Sequence, residues 1–195
     1  MKVNFVKTFI PAKDFVAVEK VGNKMLVRFD AVKDADMDAY SCVEGSVSAS
    51  EYNEQEVRRE YEAWKQKWAE KALTIAKKAK IAEIAAYDTS SSVNGFMLNG
   101  LLVWLDKATR VGLMNSTTIA KASGQETTTL WLGGLKLVVD CDKAIQLLSA
   151  LEMYALECFN VTASHKAAVS ELTTIEEVEA YNYKSGYPKM LEMSV

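Results

Sequence analysis

The sequence predicts an α+β fold: an N-terminal β-hairpin module, a long connecting helix, and a C-terminal module of two β-hairpin-helix units. Three observations carry this reading. Apolar residues alternate with period two ahead of Ser48. They then recur every three or four residues from Val57 to Ala86. Beyond that, two turn dipeptides, Asn99-Gly100 and Gly133-Gly134, each separate short β-prone runs and are each followed by Asp-Lys-Ala. The expected organisation is residues 1–48 as the β-rich module, 49–87 as the connecting helix and 88–195 as the C-terminal domain.

In the first module, Val3, Phe5, Lys7 and Phe9 alternate with Asn4, Val6, Thr8 and Ile10, and Phe15 to Val18 is β-prone. Gly22-Asn23 separates that run from Met25 to Phe29, which predicts a hairpin. Ser48-x-x-Glu51 has the form of a capping box, and it opens an expected helix from Glu51 to Ala86. Such a helix is about 54 Å long at 1.5 Å per residue, more than a small domain needs for its own core, so it is expected to bridge two parts or two chains. Its apolar stripe contains Val57, Tyr61, Trp64, Trp68 and Ile75; either it lies on its own domain or it is the interface of a homo-oligomer. The four-residue steps at Trp64, Trp68 and Ala72 break a regular heptad. If the stripe assembles the oligomer, replacing Trp64 and Trp68 with alanine dissociates it.

The polar stretch from Tyr87 to Ser92 is the expected boundary. Phe96 to Leu98 and Leu101 to Trp104 form the first hairpin around Asn99-Gly100, a dipeptide suited to a type I′ turn because both central residues need positive φ. Thr127 to Leu132 and Leu135 to Val139 form the second. Asp106 and Asp142 are placed to cap the helices that follow, the first interrupted by Gly112. The second, from Asp142 to about Leu172, is the expected core element, with Ala144, Leu148, Leu151, Ala155, Cys158, Thr162, His165 and Val169 down one stripe. Thr173-x-x-Glu176 and Thr174-x-x-Glu177 offer capping boxes for a short last helix.

Composition excludes several classes. A formal charge of -3 with both signs interspersed provides no field for a polyanion, so no nucleic-acid or anionic-membrane partner is expected. The first residues lack an apolar h-region, and no run reaches the ~20 apolar residues of a membrane span. Cys42, Cys141 and Cys158 are odd in number and have no paired spacing, which points to reduced thiols in a cytosol-like compartment. The sequons at Asn115 and Asn160 are then chance matches.

The run from Glu152 to His165, continuing through Leu172 to Tyr181 and Ser185 to Lys189, resembles an uncharacterised domain family of phage and prophage tail or tail-fibre regions. The family's pattern is similar at Tyr87-Asp88, Val93-Asn94, Trp104-Leu105, Arg110 and Leu130-Trp131, so the likeness covers about Ala79 to Leu191. The opening from Lys2 to Pro11 is similar to the start of small phage proteins of gut Bacteroides-type bacteria. The resemblance implies a virion component, assembled in the bacterial host cytoplasm, whose partners are other phage structural proteins and copies of itself. It transfers no activity and no cofactor.

The chemical candidates are thin. His165 is the sole histidine; Cys158, seven residues earlier on the same helix, lies about 10 Å away by helical rise, too far for a thiolate-imidazolium pair. Asp34, Asp36 and Asp38 imitate the opening of an EF-hand loop, but Ala39 stands where glycine is required and Gly45 where the bidentate glutamate belongs. Asp140 and Asp142, flanking Cys141, read as helix capping. Gly133-Gly134 is not followed by the Lys-Ser/Thr of a phosphate loop. Lys77, Lys78 and Lys80 read as a solvated helix face. Trp104 and Trp131 offer the one carbohydrate argument, since an exposed aromatic can stack on a sugar ring.

The expected function is therefore a non-enzymatic phage structural protein of the tail or tail-fibre apparatus, acting through protein-protein contacts, with no catalytic residue, metal or cofactor. Two alternatives stand beside it: an assembly chaperone absent from the mature particle, and a protein that binds or hydrolyses host glycan. The last requires clustered carboxylates or exposed aromatics in a cleft.

Overall fold

The computed structural model describes residues 4–195; Lys2 and Val3, expected to begin the first strand, lie outside the described residues. The fold is α+β, and it divides into two compact units, the first ending at Ala76 and the second running from Lys77 to Val195.

The first unit is built on an antiparallel sheet of β1 (Asn4–Pro11), β2 (Val18–Val21), β3 (Lys24–Asp34) and β4 (Ala39–Ser48), in the order β1-β4-β3-β2. Alternation along β3 and β4 pairs Met25 with Val47, Val27 with Gly45 and Phe29 with Val43, and all six are buried. A bulge after Phe29, with Asp30 at φ 51°, lets β3 continue to Asp34 in a shifted register. Arg28, 6% exposed, is neutralised by Glu44 at 2.8 Å and Glu19 at 2.7 Å and donates to the Val16 carbonyl. The expected hairpin at Gly22-Asn23 is thus one corner of a larger sheet.

The helical segment starts later than its sequence predicts. Ser48 still belongs to β4, and its hydroxyl turns to Ser50, so the expected capping box does not form. Asn53 caps instead, accepting from the Gln55 N–H at 2.8 Å and opening α1 (Glu54–Arg59). The expected continuous helix is interrupted at Glu60, where φ −100° and ψ 15° fall near the bridge region, before α2 (Tyr61–Asp88). Hydrogen bonds still cross the interruption, from Glu60 N–H to the Glu56 carbonyl and from Trp64 N–H to the Glu60 carbonyl.

In the second unit, a short α3 (Ser91–Asn94) leads into the hairpin of β5 (Gly95–Leu98) and β6 (Leu101–Trp104), then α4 (Lys107–Ala122). The next hairpin, β7 (Thr127–Leu132) and β8 (Leu135–Asp140), leads into α5 (Cys141–Glu171), so both expected hairpin-helix units are present. Asn99 and Gly100, and likewise Gly133 and Gly134, take the paired positive φ angles that a type I′ turn requires.

Two details depart from expectation. Gly112 does not interrupt α4, because one helical glycine costs only about 1 kcal/mol relative to alanine. Asp106 caps α4 as expected, whereas the cap of α5 is Asp140, which accepts from the Asp142 and Lys143 N–H groups; Asp142 sits in the first turn. The capping box of Thr174 and Glu177 starts α6 (Ile175–Ala180). A strand that sequence reasoning missed, β9 (Leu191–Met193), pairs in parallel with β5. The core of this unit gathers Phe96, Leu98, Val103, Leu130 and Leu132 from the hairpins against Leu148, Leu151, Tyr154 and Cys158 of α5.

Candidate functional site

Most of the helical stripe from Val57 to Ile75 is engaged within its own unit. Val57 and Trp68 are buried; the Tyr61 hydroxyl donates to the Arg28 carbonyl at 2.6 Å; Trp64 stacks edgewise on Tyr52 and Trp68. Ile75 is the member left exposed.

The other candidates also acquire local roles. Asp34 accepts from the Asp36 and Met37 N–H groups and so closes the turn after β3. Cys158 is fully buried, and burial raises its pKa, so the sulfur is held as a thiol that donates to the Val93 carbonyl. His165 lies on α5 between the Tyr181 hydroxyl, 2.8 Å from Nδ1, and the Ser185 carbonyl, 2.9 Å from Nε2. Because the carbonyl can only accept, Nε2 carries a proton and donates it to Ser185. All three cysteines are buried and unpaired. Among the described residues, no group of histidine, cysteine and carboxylate side chains is arranged to hold a metal ion. Nor, among the described residues, is any helix long and apolar enough to cross a membrane.

A cavity of about 400 Å³ lies wholly within the second unit. Its walls come from four places in the chain: Asp88 and Thr89 around the end of α2, Asn94 at the end of α3, Trp104 to Lys107 between β6 and α4, and Glu152, Leu156 and Phe159 on α5. Arg110, in the first turn of α4 and 8% exposed, ties these walls together. Its Nε donates to Glu152 Oε1 at 2.8 Å, and its Nη1 to the Leu105 carbonyl at 2.8 Å. Charge-assisted bonds of this kind fix the guanidinium plane. Asp106 accepts from both the N–H and the hydroxyl of Thr109, which lowers its carboxyl pKa.

One end of the Asp88 carboxylate is also fixed, its Oδ1 accepting from Thr162 at 2.7 Å. Thr162 lies 3.0 Å from the Tyr187 hydroxyl, so the same network tethers the segment after α6. Trp104 is 40% exposed and Phe159 58% exposed, two aromatic side chains of the same cavity left partly in water beside its charged residues.

Sequence reasoning singled out Asp88, Asn94, Trp104, Leu105, Arg110, Glu152 and Phe159 as bearers of the family resemblance, without placing them together. The fold brings all of them to this cavity. A comparison with protein-family models matches a domain of unknown function (DUF4376) over residues 75–183, a span that contains every residue lining the cavity. No curated protein and no solved structure matches the chain.

Proposed function

The chain belongs to the DUF4376 family, and from that premise we propose that it is a non-enzymatic structural protein of a phage tail or tail-fibre apparatus. It acts through contacts with other proteins of the particle and with copies of itself, in a virion assembled in the host cytoplasm. The observation that carries the contact reading is the outer face of the β7-β8 hairpin. Trp131 is 60% exposed and Val138 65% exposed on that one face, while Leu130, Leu132 and Val139 fill the core from the other. Trp131 faces Lys136 and Val138 faces Thr129 across the hairpin, so the two large apolar side chains lie diagonally on one face, where contact with another protein would take both out of water. The tail-region setting is supported by the resemblance of residues 152–165 and of the segment ending at Lys189.

The test is quantitative mass spectrometry of gradient-purified virions set against the unpurified lysate. A fixed ratio to the major capsid protein supports the proposal. Absence from particles together with abundance in the lysate favours an assembly factor instead. Light scattering on the purified chain adds the second arm: Trp131→Ser with Val138→Thr leaves the fold intact and lowers the mass of any homo-oligomer built on this face.

A further inference from the structure

The cavity of the second unit has a chemistry that the contact surface on the hairpin does not use. Several of its polar side chains are pinned at one atom and open at another. Arg110 spends Nε and Nη1 internally, and among the described residues its Nη2 makes no hydrogen bond, which leaves it to solvent. Glu152 bonds through Oε1 and leaves Oε2; Asp88 bonds through Oδ1 and leaves Oδ2. Asn94 donates through Nδ2 to the Asp88 carbonyl and leaves Oδ1. Donor and acceptor atoms are therefore both available, on side chains whose rotamers are already fixed, so little further ordering opposes binding.

The occupant follows from three constraints. The charges of Asp88, Asp106 and Glu152 against Lys107 and Arg110, three negative to two positive, give no strong preference for an ion of either sign. A purely apolar occupant would strip water from the Arg110 Nη2 and from carboxylate oxygens without replacing it, at about 1–3 kcal/mol for each group or more. Trp104 and Phe159 require an apolar face on the same ligand.

We propose that this cavity binds the ring of a neutral saccharide, its C–H face against Trp104 and Phe159 and its hydroxyls between Arg110, Glu152 and Asp88. A hydroxyl both donates and accepts, so adjacent hydroxyls satisfy the mixed set. A cavity of about 400 Å³ falls in the range of small-molecule sites.

The full chain, titrated with a panel of neutral monosaccharides and their oligomers and followed by tryptophan fluorescence and ligand-observed NMR, tests this. At least one neutral sugar is expected to saturate the protein. Trp104→Ala is expected to weaken that binding about tenfold. Cooperative thermal unfolding of the variant shows that it remains folded; Phe159→Ala, at a side chain that is 58% exposed and so loses less packing, supplies a second variant with the same expected loss of binding. Binding of free monosaccharides assigns the cavity to a small sugar. Binding of oligosaccharides alone, still weakened by Trp104→Ala, assigns it to the end or branch of a polymer. Failure of every sugar to bind, binding indifferent to both variants, or selection of a charged ligand or peptide overturns the proposal. None of these outcomes touches the contact reading, which rests on Trp131 and Val138.

Discussion

Gly45 sits in the middle of β4 with no room for a side chain. A Cβ built there lies 2.5 Å and 2.7 Å from ring carbons of Trp68 and 3.2 Å from Phe5. Trp68 is buried and held edgewise by Phe5 and Trp64, so it cannot swing away. Gly45→Ala should therefore destabilise the first unit by about 1–3 kcal/mol, the usual cost of overpacking, measured as a lowered denaturation midpoint. The opposite sign is expected at Thr117, whose hydroxyl is buried without a hydrogen-bond partner among the described residues. Thr117→Val removes that unsatisfied group at equal shape and should raise stability by about 1 kcal/mol in the same measurement.

Tyr154 gives a pH prediction. Its hydroxyl donates to the Val93 carbonyl at 2.7 Å, and burial pushes its pKa from the ordinary tyrosine value of 10.0 up to about 12. A raised folded-state pKa means that the folded protein holds the proton longer, so this stabilisation is complete below pH 10 and fades as pH climbs toward 12. Between those limits Tyr154→Phe should lose less stability than the parent in alkaline denaturation. At this scale the sequence is legible in burial, since the α5 stripe from Ala144 to Val169 was read directly from spacing. Gly45 was not legible, because its requirement exists only once a tryptophan 23 positions away is laid over the strand.

Elements were legible wherever a local rule decides them and opaque where a distant partner does. The two glycine turns, the Asp106 cap and the Thr174-Glu177 box rest on residues within a few positions of one another, and each forms as the sequence predicts. β9 is three residues long and exists because Phe96, Met97 and Leu98 offer it an edge, a partner almost a hundred positions upstream. The α5 cap is Asp140 and not Asp142 because the helix begins at Cys141, directly after β8, so the carboxylate at the junction meets the Asp142 and Lys143 N–H groups.

The segment after α6 behaves as an element without regular structure, fastened by side chains. His165 bonds Tyr181 and Ser185, and Tyr187 reaches Thr162. His165→Ala should release residues 181–187, seen as faster hydrogen exchange there with α5 unchanged. Equal protection in both proteins would reduce the histidine to a bystander. Glu177 accepts from the Thr173 and Thr174 N–H groups, which lowers its pKa, so its support of α6 is present above the unfolded carboxylate range. That support is lost as pH falls through the depressed folded value.

For the whole molecule, the two cores share no residue. The second core draws on Tyr87, on Val93 through Cys158 and on Tyr187, Leu191 and Met193, all beyond Lys77. The first is the sheet and the Trp68 face of α2, all before Ala76. The candidate cavity became visible only at this level: Asp88, Trp104, Arg110 and Glu152 were each noted in the sequence, yet their convergence depends on four separate segments closing on one another. No spacing rule connects positions 64 residues apart, as Asp88 and Glu152 are.

The division of cores predicts separable folding. A chain starting at Lys77 retains every member of the second cluster, its Thr174-Glu177 capping box and its parallel β5-β9 pairing, so it should unfold cooperatively and keep the near-ultraviolet circular dichroism of Trp104 and Trp131. In the full chain, Trp68→Ala removes the largest buried side chain of the first unit, a loss of about 3–5 kcal/mol. Calorimetry should then show the first unit's transition lowered or abolished and the second unit's transition unmoved. A single transition shifted as a whole would mean that the helix passing from Tyr61 to Asp88 couples the two units energetically, and the truncated chain would then be less stable than its own core implies.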